Sequence, residues 1–210
     1  MQNPQCQPKR TTTSVPCGAN VTVLAAAVTR LDGVVIAADS EISWDYTKSH
    51  EGSGKLWVER ERKFAFASCG DVRAAQVIQH WTDWPEFRDY HQNDIERFVI
   101  REVVPAIREA LNDHGSLSVS KSVETFGAGL IMAWGNNLVA IDEDFSVLIP
   151  TSGRWAMGSG LSEAFGSLGE DGPWTKNDVI RAARVSTRTA AGVGGNIWYV
   201  TTRGLEVRLG

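Results

Sequence analysis

The stretch Gly33-Val34-Val35-Ile36-Ala37-Ala38-Asp39-Ser40 decides how this chain folds. Its apolar run follows the turn signal Asp32-Gly33, and on the other side of that signal stands a second run, Val21-Thr22-Val23-Leu24-Ala25-Ala26-Ala27-Val28. Two apolar runs joined by an Asp-Gly turn read as a buried β-hairpin. Residues before it, 1 to about 20, are polar and interrupted by Pro4, Pro8 and Pro16, with the tract Thr11-Thr12-Thr13-Ser14. Such a segment buries too little apolar surface to order itself, and we read 1–20 as a flexible lead-in or pro-segment ahead of a domain over 21–210.

Downstream of the hairpin, Ser40 to Gly54 is polar and reads as a loop leading to a second hairpin, with strands at Lys55–Val58 and Lys63–Ala67 around the charged turn Glu59–Arg62. Helical spacing follows at Val72, Ala75, Val77, Ile78 and Trp81, and again across Asn93–His114, where Pro105 predicts a kink or a restart of the helix. Strands return at Ala128–Trp134, Leu138–Asp142 and Phe145–Ile149. Gly158-Ser159-Gly160 is a tight turn opening a helix to about Leu168, and Thr175 with Asp178 caps another. Asn196–Thr202 and Leu205–Leu209 close as strands. Strands, two helices, strands, two helices, strands is a segregated order. It predicts an α+β protein, a four-layer αββα sandwich of two antiparallel sheets with helices on both outer faces.

Composition narrows the function classes. A chain of 210 residues, 42% hydrophobic and 22% charged, has enough apolar content for one globular core. A net charge of −4 gives no basic face for nucleic acid, so no nucleic-acid partner is expected. Cys6, Cys17 and Cys69 are odd in number and irregularly spaced, as reduced thiols of a cytoplasmic protein would be. The segment Met1–Pro16 has no apolar core of signal-peptide length and no later run approaches a membrane span, so no membrane association is expected. His50, His80, His91 and His114 lack the mutual spacing of a zinc site, and neither a metal nor another cofactor is expected.

Four segments in register resemble the proteasome β-subunits and their HslV-type bacterial relatives, members of the N-terminal nucleophile hydrolase superfamily. These are Gly33–Ser40; Lys55, sixteen residues after Asp39; Ala67-Ser68-Cys69-Gly70 leading into a helix; and Leu130–Asp142 followed by Met157-Gly158-Ser159-Gly160. The resemblance runs from about Thr22 to about Thr202. It implies the N-terminal nucleophile hydrolase fold and a threonine-type peptidase, in which a terminal Thr uses its own α-amine as general base for its hydroxyl. Carried onto this sequence, the nucleophile is Thr22, the lysine beside it Lys55, and the acid that orients the lysine Asp39. Ser159 would complete the hydrogen bonds around the amine, Ser43 would hold substrate backbone, and the N–H of Cys69 or Gly70 would bind the oxyanion. The resemblance also implies a peptide or unfolded-protein substrate, a homo-oligomeric ring and an ATP-dependent unfoldase partner.

The sequence departs from that pattern at two places. Val21, not Gly, precedes Thr22, and counting back from Asp39 puts the family's nucleophile position on Val23, so Thr22 takes the role if the first hairpin carries one extra residue. Near the end, the family's acid and serine are replaced within Ala190-Ala191-Gly192-Val193-Gly194-Gly195. Both departures point toward a weaker or silent site. Two alternatives therefore stand beside the peptidase: a catalytically silent structural subunit, and a hydrolase of small amides using the same chemistry. Each residue also has a plain structural reading. Thr22 fits a strand as a β-branched residue, Cys69 fits a core as a small hydrophobe, and Trp81, Trp84, Phe87 and Tyr90 are either a subunit contact or a packing patch.

Overall fold

In the computed structural model, residues 22–44, 47–49, 54–120 and 122–210 are described, without the side chains of 43, 44, 47–49 and 120. The lead-in, Val21, Cys6, Cys17 and His50 lie outside the described residues. The chain begins with the expected hairpin, β1 (Leu24–Thr29) and β2 (Gly33–Asp39), paired from Leu24 opposite Ala38 to Thr29 opposite Gly33. The predicted loop after it contains a short hairpin of its own, β3 (Ile42–Trp44) and β4 (Thr47–Ser49). The second expected hairpin follows as β5 (Leu56–Glu59) and β6 (Phe64–Gly70), then α1 (Val72–Trp81), whose N-cap Asp71 accepts from the amides of Arg73 and Ala74.

The long helical pattern is divided. It comprises α2 (Ile95–Phe98), a wider π turn at Val99–Val103 and α3 (Val104–Asp113), with Pro105 in the first turn of α3. Proline donates no amide hydrogen and crowds the preceding carbonyl, and the backbone meets this with a wider turn in place of a break. Beyond it come β7 (Ser118–Ser120), β8 (Val123–Thr125), β9 (Ala128–Trp134), β10 (Asn137–Ile141) and β11 (Val147–Leu148). Then follow β12 (Arg154–Met157), α4 (Leu161–Leu168), α5 (Lys176–Thr189), β13 (Ile197–Thr201) and β14 (Arg208–Leu209). Thr175 and Asp178 form the expected reciprocal cap of α5.

Two five-stranded antiparallel sheets result, in the orders β12-β1-β2-β13-β14 and β11-β10-β9-β6-β5. Three clusters of buried side chains separate four layers. Leu24, Ala26, Ile36 and Ala38 of the first sheet meet Ala65, Ala67, Ile131 and Ala133 of the second. The outer face of the first sheet, with Val23, Ala25, Val35 and Ala37, packs on Ala164, Val179, Ala182 and Ala183 of α4 and α5. That of the second, with Phe64, Phe66, Leu130 and Met132, packs on Val77, Ile78, Phe98, Val103 and Ile107. A sheet buried on both faces has no polar side to alternate with, which explains the unbroken apolar runs of β1, β2 and β9. The predicted αββα sandwich of two antiparallel sheets flanked by helices is the one observed.

The aromatic group after α1 divides between core and surface. Trp84 is buried against Phe64 and Phe66, and Phe87 stacks near Phe98 and Trp134. Trp81 and Tyr90 are exposed, the former beside the His114 ring.

Candidate active site

Asp39, the last residue of β2, is 1% exposed and four donors converge on its carboxylate. Oδ1 accepts from Lys55 Nζ at 2.7 Å and from the Val23 amide at 2.9 Å. Oδ2 accepts from the amides of Gly194 at 3.2 Å and Glu41 at 3.3 Å. Lys55, just before β5, is brought from the other sheet because the two sheets stack with these strand ends together. Burial pushes the Lys55 ammonium below its ordinary pKa, and the Asp39 carboxylate, by charge and hydrogen bond, holds it partly up.

Thr22 stands two residues before the start of β1 and is buried, held by the turn that opens α4. Its amide donates to Ser159 Oγ at 3.3 Å, and its carbonyl accepts from the Gly160 amide at 3.2 Å and from Ser159 Oγ at 3.4 Å. Gly158 has φ +89°, and a Cβ there would run into the Thr22 carbonyl, its carbon only 2.9 Å away. This close approach is what the glycine permits. Gly160 is wedged similarly: a Cβ would lie 2.8 Å from the Cβ atoms of both Val23 and Ser186.

Backbone alternation distinguishes the Cys69 and Gly70 amides. The amides of Ser68 and Asp71 donate to Lys55 O and to Gly127 O respectively, on opposite sides of β6. By parity the Cys69 amide points to β9 with that of Asp71, whereas the Gly70 amide points with that of Ser68, past the end of β5. Cys69 is buried, and burial pushes its thiol up to about 11. It is therefore an inert lining group at neutral pH, in keeping with the plain structural reading.

Thus Thr22, Asp39, Lys55, Ser159, Cys69 and Gly70 gather at one end of the space between the sheets. Ser43 lies in β3 opposite Lys48, and its side chain is outside the described part of the structure. Sequence reasoning missed the contribution of residues 190–195, which is made by main chain: Ala191 O, 3.3 Å from Ser159 Oγ, competes with Thr22 O for its one proton, and the Gly194 amide reaches Asp39. Backbone groups leave no residue signature, so only the two glycines near Gly194 hinted at a close approach. Among the described residues, no cluster of three or more His, Cys, Asp or Glu could hold a metal ion, and no helix is long and apolar enough to cross a membrane.

No protein-family model matches the sequence, and neither does any curated protein. Solved structures do match. The chain is similar to Thiobacillus denitrificans BPH, with TM-score 0.68 and 17% identity over 86% of this chain and 97% of that one. The same protein in complex with epoxomicin gives TM-score 0.64 at 17% identity over the same shares. Eukaryotic HslV from Trypanosoma brucei gives TM-score 0.61 at 16% identity, over 86% of this chain and 98% of that one. At these identities the shared property is the fold.

Proposed function

We propose that this chain is a proteasome- or HslV-like threonine-type peptidase subunit, its nucleophile Thr22 freed by removal of the residues before it. The observation that carries the reading is the single carboxylate oxygen of Asp39 that receives both the Lys55 ammonium and the amide of the residue after Thr22. It ties a buried cation from one sheet to the N-terminal end of β1 in the other.

Parity supports Thr22 over Val23. Val23 packs under α4 and α5 with Ala25 and Ala27, whereas Thr22 shares the parity of Leu24 and Ala26, which face the other sheet. The hairpin loop, residues 30–32, is one longer than the commonest two-residue connection and leaves room for the shifted register. In the reaction the freed amine takes the hydroxyl proton, Thr22 Oγ1 attacks the peptide carbonyl, and the oxyanion meets the Gly70 amide. The amine then protonates the departing amine, and water hydrolyses the resulting ester. Ser159 holds the Thr22 nitrogen, and Lys55, fixed by Asp39, adds positive charge.

A ring of identical subunits, fed by an ATP-driven unfoldase in the cytoplasm, accompanies this proposal, supported by the likeness to HslV. A second reading, a silent structural subunit, is favoured by Val193, which is buried in the α4–α5 core and offers no side chain to the amine. Intact mass and terminal sequencing test the choice. A chain beginning at Thr22, cleaving fluorogenic peptides and losing that activity in Thr22→Ala and Lys55→Ala, is the expected outcome. An uncut chain without turnover makes it a scaffold, and cleavage confined to small amides makes it an amidase.

A further inference from the structure

A cleft of about 330 Å³ adjoins the site without taking part in the chemistry described above. It borders Thr22 through Gly158, and borders the Gly70 amide through Cys69, so a chain bound at Thr22 passes its mouth. Trp155, Met157 and Leu161 supply its apolar wall, and polar surface makes up almost as much of the lining. Its polar groups are two carboxylates, Asp142 and Glu143, both exposed at the end of β10.

Among the described residues these carboxylates have no cation. The Asp142 side chain accepts from the Glu143 amide at 2.8 Å, and among the described residues neither acid forms an ion pair. The nearby arginines are engaged elsewhere. Arg108 pairs with Glu124 while lying over the Phe145 ring, and Arg154 donates to Phe165 O at 3.0 Å. Lys55 is committed to Asp39. The charge of Asp142 reaches into the cleft, where it adds to the upward shift of the Cys69 thiol. A recess with an indole and a thioether on one wall and two carboxylates at its mouth suits a long stem carrying a cation.

We propose that this cleft receives a positively charged side chain of the substrate, arginine ahead of lysine, with Asp142 and Glu143 as its counter-charges and Trp155 and Met157 along its stem. The proposal rests on the peptidase reading and names its substrate class. A planar guanidinium engages carboxylates through two parallel hydrogen bonds and stacks on an indole, which an ammonium does less well.

The test is titration calorimetry on the full chain carrying Thr22→Ala, which separates binding from turnover. Two peptide amides are compared, identical except for arginine or norleucine at one position. The arginine peptide is expected to bind at least about tenfold tighter, with the advantage shrinking in high salt and vanishing when Asp142→Asn and Glu143→Gln are added. Equal binding of the two peptides, no binding of either, or an advantage that survives both substitutions overturns the proposal. Hydrolysis by the unmodified chain is scored separately: arginine preference without cleavage keeps the cleft and removes the peptidase, and cleavage without preference does the reverse.

Discussion

Lys55 Nζ lies 2.7 Å from Asp39 Oδ1, and the two partners are unequally dependent on each other. Asp39 keeps three backbone donors if the lysine is lost, whereas among the described residues Lys55 has no other anion at hydrogen-bond distance. Asp39→Asn, which strands a buried cation, is therefore expected to cost roughly 3–5 kcal/mol, and Lys55→Met about 1 kcal/mol or less. Urea unfolding of the two variants checks this. Equal losses would mean that the backbone donors do not stabilise the carboxylate.

Gly158→Ala places a methyl group against the Thr22 carbonyl at a backbone angle that disfavours any side chain. A loss of about 3 kcal/mol or more, together with loss of any peptide cleavage, is expected from thermal unfolding and peptide assays. Gly166, with open space around it inside α4, is the control, and its replacement by alanine should stabilise by up to about 1 kcal/mol.

Ser186 has no exposure and donates to Gly160 O at 2.9 Å from within α5. Since the Gly160 amide in turn holds Thr22 O, this hydroxyl positions the turn without touching substrate. Ser186→Ala is expected to cost about 1–2 kcal/mol, leaving Gly160 O without that donor. Threonine should restore much of the stability, and the amide exchange rate of Gly160 should rise in the alanine variant only.

The Cys69 thiol, raised by burial from 9.0 to about 11, makes a pH-dependent contribution of known sign. Its folded-state value lies above the unfolded one, so its contribution is fully present below about pH 9 and is lost as pH rises through about 11. The difference in stability between the native chain and Cys69→Ala should narrow over that window by up to about 3 kcal/mol. A difference that stays constant between pH 8 and 11 would contradict the burial of this thiol. Alkylation by iodoacetamide should be slow at pH 8 for the same reason.

The chain's own letters determined the layered architecture. Apolar runs, turn residues and caps act over a few residues, so the hairpin at Asp32-Gly33 and the capping box at Thr175 were legible one by one, and Pro105 marked where a new helical segment starts. Short strands were not. Arg154–Met157 has no alternating pattern and becomes a strand only because β1 offers it a ladder, and Leu205–Leu209 shrinks to its last two residues because only those find β13. Motif spacing also brought forward Asp39, Lys55 and Ser159, because those roles need particular side chains. Tertiary structure alone decided which backbone groups gather there: the Val23 and Gly194 amides on Asp39, the Ala191 carbonyl at Ser159, and the side of β6 to which the Gly70 amide points. Every residue carries the same amide and carbonyl, so their identity is set by where the chain passes, and that is fixed only when the two sheets stack.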